Sequence, residues 1–133
     1  MLSPARRERG VGAYEAILSS PEAFPPDKRQ LVEMLLDGLA ASLARAKLSL
    51  IGSGGSRPDE GSTQAALFRA QRILGGLISA LDRKISPELA SELASIYRYI
   101  LRCTDSVARQ GELEPLDEAI SLVRIMRGAW AQT

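Results

Sequence analysis

Four segments of this chain repeat one apolar spacing, and that spacing leaves little choice of fold. Val32, Leu36, Leu39, Leu43, Ala46 and Leu50 follow one another in alternating steps of four and three. Leu67, Ala70, Leu74, Leu77 and Leu81 keep the same rhythm, as do Leu89, Leu93, Ile96, Ile100, Cys103 and Val107. A fourth run joins Leu116, Ala119, Ile120, Val123, Met126 and Trp130. Such steps return to one face of an α-helix, so each segment reads as a helix with one apolar stripe. No alternating run competes as a strand.

The punctuation agrees with four helices. Phe24-Pro25-Pro26 breaks any earlier helix, and Asp27 with Gln30 three residues on forms a capping-box-like start. Residues 52–61 hold four Gly, two Ser and one Pro, a flexible linker. The second helix is expected to begin near Ser62 or Thr63. Ser86-Pro87 stops and restarts the chain, Gly111 suits a helix C-terminus, and Pro115 suits the start of the last helix. Short connections place successive helices antiparallel. The expected fold is therefore all-α, an up-and-down antiparallel four-helix bundle over residues 27–131. It is preceded by a mobile, loosely packed segment over residues 1–26, in which Ala13–Leu18 forms at most a short helix. Gly38 in mid-helix, and the pair Gly75-Gly76, predict close helix contact or a kink.

Composition narrows the function. Aromatic residues are 5% of the chain against 45% hydrophobic residues in all, so the core must be aliphatic. The net charge is +1, which gives no pull toward nucleic acid. His is absent, removing the commonest general base and metal ligand. The acidic pairs Asp59-Glu60 and Asp117-Glu118 consequently lack a His partner for a di-metal site. Cys103 is the one cysteine, sits on an inward stripe, and reads as a small core residue. Gly52-Ser53-Gly54-Gly55-Ser56 lacks the Gly-Lys-Ser/Thr ending of a phosphate loop and follows no strand. No run approaches the roughly 18–20 apolar residues of a membrane span. These features predict a protein of the cytoplasm with no catalytic residues, no cofactor, no metal and no membrane insertion.

What remains is binding. Leu31, Met34, Leu35 and Leu36 cover more than one narrow stripe on the first long helix. Leu122, Val123, Ile125 and Met126 do the same on the last, which predicts an exposed apolar groove. Tyr97 and Tyr99 flank the inward stripe of the third helix, where an aromatic body with a polar tip suits either a partly wet groove or the core edge. Trp130 either closes the end of the core or touches a partner.

Several stretches together resemble the flagellin export chaperones of the FliS family. They are Ala13-Tyr14 ahead of a Ser-Pro step and Leu31-Val32-Glu33-Met34-Leu35-Leu36-Asp37-Gly38-Leu39. With them go Ala70-Gln71-Arg72-Ile73-Leu74 with Leu77 and Leu81-Asp82, and Leu93-Ala94-Ser95-Ile96-Tyr97-Arg98-Tyr99-Ile100-Leu101. Leu116-Asp117-Glu118-Ala119-Ile120 and Arg127-Gly128-Ala129-Trp130 complete the set. The likeness covers about residues 13–130, with Leu36 standing where the family usually has Tyr. It implies a four-helix bundle that binds the disordered C-terminal segment of flagellin, prevents early polymerisation and delivers it to the flagellar type III export gate protein. It also implies a partner or gate contact for Tyr14, with Ile17 and Leu18 on the same face. The partner-binding set expected from residues and resemblance together is Tyr14, Ile17, Leu18, Leu35, Leu36, Tyr97, Tyr99, Leu122, Met126 and Trp130. A chaperone for another exported flagellar substrate, or a bundle whose apolar face makes a homodimer, are the alternatives.

Overall fold

A computed structural model describes residues 23–52, 59–84 and 86–131. Four helices account for most of it: α1 Arg29–Ile51, α2 Glu60–Ser79, α3 Pro87–Gln110 and α4 Leu113–Ala131. Among the described residues there is no strand. Each helix packs on the next and α4 returns to α1, so the four close into an antiparallel bundle.

The stripes read from the sequence meet in its centre. Leu39 and Leu43 of α1, Leu67, Leu74 and Leu77 of α2, Ile100 and Val107 of α3, and Leu116 and Val123 of α4 are all buried. Leu50, Leu89 and Ile120 are only partly buried, packed against the margin of this core.

Helix ends depart from expectation at three places, one of them α4, which starts at Leu113, two residues before the expected Pro115. Asp27 does not cap α1. It lies in a 3₁₀ turn, Pro26–Lys28, and the residue preceding α1 is Lys28, which offers no side-chain acceptor. Pro25 and Pro26 fix the approach to the helix and lack N–H groups themselves, and the Lys28 N–H donates to the Pro25 carbonyl at 2.9 Å. The second helix starts at Glu60, before the expected Ser62, because the Asp59 carboxylate accepts the Ser62 N–H at 3.1 Å. Gly111 does end α3, in the left-handed conformation with φ of 68°, its N–H donating to the Val107 carbonyl at 2.8 Å.

Phe24 belongs to the segment expected to be loosely packed, yet it is a core residue. Its ring meets Trp130 edge-on at 5.6 Å, and the Ala23 carbonyl accepts the Asp82 N–H at 2.7 Å. Ala23 and Phe24 thus plug one end of the bundle, between the α2–α3 connection and the end of α4.

Candidate partner-binding groove

The four helix pairings are finished differently, and the difference locates the site. The α1/α4 pairing is tied by ion pairs, Lys47 to Asp117 at 2.8 Å and Arg127 to Asp37 at 2.9 Å. The α2/α3 pairing is bridged by Gln64, which donates to the Ala108 carbonyl, and by Gln71, which donates to the Thr104 hydroxyl. In the α3/α4 pairing the Tyr99 hydroxyl donates to the Glu118 carboxylate. Among the described residues no side-chain hydrogen bond or ion pair crosses from α1 to α2.

Small residues explain how α1 and α2 meet instead. A Cβ on Gly38 would stand 3.3 Å from the Ile73 Cδ1, and one on Gly76 would stand 3.7 Å from Leu35. Gly38 therefore marks a close helix approach, and Gly76 gives Leu35 room. Gly75 meets nothing, and the helix runs through both glycines without a break. The outcome is a cleft of about 280 Å³ floored by Gly38, Ala41, Ser42, Ala65 and Ala66. Ser62 lies at one end, and Arg45 and Arg69 stand on opposite walls.

Apolar side chains frame this cleft. Met34, Leu48 and Leu31 are exposed. Met34 and Leu48 continue the line Gly38, Ala41, Arg45 in steps of three and four, and Leu31 lies one turn from Met34 on the same side. Phe68 is exposed on the outward face of α2, one turn from Ala65. Ile51 is exposed on the other side of α1, one turn from the ion-paired Lys47. A larger cleft of about 500 Å³ opens at the end of the α1/α4 pairing. Its walls hold Glu33, Asp37, Arg124 and Arg127, and the Asp37–Arg127 pair already spans it. The α1/α2 groove offers apolar surface with no such internal pairing.

The expected partner-binding residues scatter over this plan. Leu35 is half-buried at the α1/α2 groove beside Gly76. Leu36, Tyr97, Leu122 and Met126 are buried and hold the bundle together, although Leu36, with Trp130, also borders the cleft at the end of the α1/α4 pairing. The position where the family resemblance places Tyr is thus filled here by a core Leu. Burial raises the Tyr97 hydroxyl above the usual phenol range. Tyr99 is half-buried, bonded to Glu118, with the Arg102 guanidinium 5.5 Å over its ring. Burial, and then the Glu118 charge, raises the Cys103 thiol, while a hydrogen bond with Tyr99 opposes them. Trp130 is half-buried between Phe24 and the Arg29 guanidinium, 5.8 Å from its ring centre. Tyr14, Ile17 and Leu18 lie outside the described residues.

Met34 and Leu31 were legible as surplus on the first stripe. Leu48 and Arg45 were missed although they share that line, because the apolar count stopped at the core-facing residues. Arg69, Ala65 and Phe68 gave no signal at all, since a lone apolar or basic residue on a polar face is ordinary. Among the described residues no three His, Cys, Asp or Glu side chains are placed to hold a metal ion, and no helix is long and apolar enough to cross a membrane.

A chain of this architecture has matching counterparts. It is 28% identical over 124 residues to the flagellar secretion chaperone FliS of Salmonella typhimurium, covering 92% of this chain and 88% of that protein. It is likewise 28% identical over 126 residues to the flagellar secretion chaperone FliS of Escherichia coli, covering 94% and 89%. Against the flagellar secretion chaperone FliSB of Pseudomonas aeruginosa it is 23% identical over 122 residues, covering 92% and 93%. The family description "Flagellar protein FliS" matches residues 14–133. With that match over nearly the whole length, the chain belongs to the FliS family of flagellar export chaperones, which are not enzymes.

Proposed function

We propose that the cargo of this chaperone is flagellin. In this reading the bundle takes up the disordered C-terminal helical segment of flagellin in the cytoplasm, keeps it from polymerising early and delivers it to the flagellar type III export gate. The observation that carries the reading is the α1/α2 groove, the one helix pairing without a polar side-chain bridge among the described residues. It is floored by small residues and framed by exposed Leu31, Met34 and Leu48. An amphipathic helix laid in such a groove covers apolar surface on both partners. Leu35, at the groove margin, joins Met34 and Leu48 as a contact.

Folding of the cargo on binding lowers the affinity per unit of buried area, which suits a segment that must be released again. Isothermal titration with the C-terminal segment of the host's flagellin tests the reading. The expected result is one-to-one binding, micromolar or tighter, with a strongly negative heat-capacity change. Absence of binding at high concentration would sink the flagellin assignment. A concentration-dependent dimer in sedimentation, dispersed by Met34→Lys, would point instead to self-association through the same apolar rim.

A further inference from the structure

Two guanidinium groups in the α1/α2 groove have no counter-charge. Arg45 and Arg69 are both exposed, both line the cleft, and neither makes an ion pair among the described residues. No carboxylate lines the cleft with them. Arg109 and Arg127 are each seated on an Asp, whereas Arg72, Arg98 and Arg124 also make no ion pair among the described residues; what sets Arg45 and Arg69 apart is that they line one cleft from opposite helices. The chain as a whole is nearly neutral, with 17 basic against 16 acidic residues.

Their spacing is fixed by the helix register. Gly38 faces Ile73 and Leu35 faces Gly76, an antiparallel register that sets Arg69 near Ser42 on the opposite wall. Arg45 lies three residues further along, so the two side chains are offset by roughly 4.5 Å along the groove. Between them the floor is Ala and Ser, where a partner backbone can come close. Apolar side chains lie beyond on either side, Met34 toward one end and Leu48 toward the other.

We propose that Arg45 and Arg69 read an acidic side chain on the cargo helix, held at the centre of the groove between two apolar contacts. The proposal rests on the flagellin reading above and adds the feature that selects the segment. A carboxylate lowered between two guanidinium groups accepts charge-assisted hydrogen bonds from both walls, as Arg geometry favours. The matching cargo face carries an apolar residue, an Asp or Glu about two turns on, and a second apolar residue beyond it. A face without the acid leaves two cations covered and unpaired, so the pair rejects as well as attracts.

The test is titration of the full chain with the C-terminal segment of the host's flagellin, at about 50 mM and at about 500 mM salt, where charge pairs are screened. The Arg45→Gln, Arg69→Gln double variant is expected to lose about tenfold in affinity at the lower salt and little at the higher. Both positions are exposed, so its melting temperature stays that of the wild type. Met34→Ala serves as the apolar comparison, losing affinity equally at both salts. Changing the cargo's acidic residues one at a time to Asn or Gln is expected to find one that mimics the double variant and adds nothing to it. Wild-type affinity for the double variant at both salts overturns the proposal and leaves the flagellin reading standing. No binding by the wild type overturns both.

Discussion

Tyr99 was expected to meet a partner, and the structure gives its hydroxyl a different task that a substitution can expose. Glu118 lies in the α3/α4 pairing only 4% exposed, and the Tyr99 hydroxyl donates to it. The Tyr99→Phe variant keeps the ring against Arg102 and removes the hydroxyl, with its bonds to Glu118 and Cys103. A buried acceptor deprived of its donor loses about 1–3 kcal/mol of stability. For a domain of this size that lowers the melting temperature by roughly 3–12 °C. Replacing Glu118 with Leu in the Tyr99→Phe background removes the stranded carboxylate and is expected to recover most of the loss, since deleting both partners together is nearly neutral. Thermal unfolding followed by circular dichroism on wild type, both single variants and the double yields the coupling between the two side chains. Flagellin affinity of the folded Tyr99→Phe variant should stay that of the wild type. A variant with unchanged melting temperature and abolished cargo binding would refute the reasoning, placing the hydroxyl on the partner and not on Glu118.

Three further outcomes follow from single side chains. Asp59→Ala removes the acceptor for the Ser62 N–H and should lower stability by about 0.5–2 kcal/mol, read from chemical unfolding. Gly75→Ala places a methyl where nothing lies within contact distance, so helix propensity should raise stability by about 0.5–1 kcal/mol, with a higher melting temperature as the readout. Burial raises the Tyr97 hydroxyl above its ordinary value of 10.0. The neutral phenol's contribution is therefore fully present below pH 10 and declines above it, as the unfolded chain ionises first. Near pH 11 the loss is on the order of 1 kcal/mol, and Tyr97→Phe should flatten this alkaline limb in urea unfolding across pH 9–11.

The helices were legible because their core positions are numerous and regular. A stripe such as Leu93, Ile96, Ile100, Cys103 and Val107 has one geometric solution, and all five residues are buried. The site was far less legible, for a reason visible in Leu35 and Leu36. They are neighbours of the same residue type, yet one faces Gly76 at the groove and the other the core, and a turn of 100° per residue separates those fates. The same holds for Tyr97 and Tyr99. Leu122 and Met126 looked like surplus because a single narrow stripe was assigned to α4, whereas a helix packed against both α1 and α3 uses up a wider apolar face. Phe24 was misread in the other direction. Two prolines mark the end of an element, but they do not say whether the residue before them is docked, and here Trp130 receives it.

The groove cannot by itself hold a cargo tightly, and this bears on what kind of partner the bundle suits. Met34 is 64% exposed, Leu48 56% and Leu31 41%. Full burial of such a side chain contributes about 1.5–3 kcal/mol, so covering what these three leave open yields about 2–5 kcal/mol, with about as much again from the cargo side chains that cover them. Micromolar binding requires a net of about 8 kcal/mol, reached only after association itself has cost at least ~4 kcal/mol. The shortfall must come from surface outside the groove. Among the described residues the remaining large exposed apolar side chains, Phe68 and Ile51, stand on other faces, one outward from α2 and one beside the α1/α4 pairing. A rigid partner seated in the groove reaches neither. A long segment that is unfolded when free can follow the surface from the groove to both, at low affinity per contact, and can be drawn off one contact at a time.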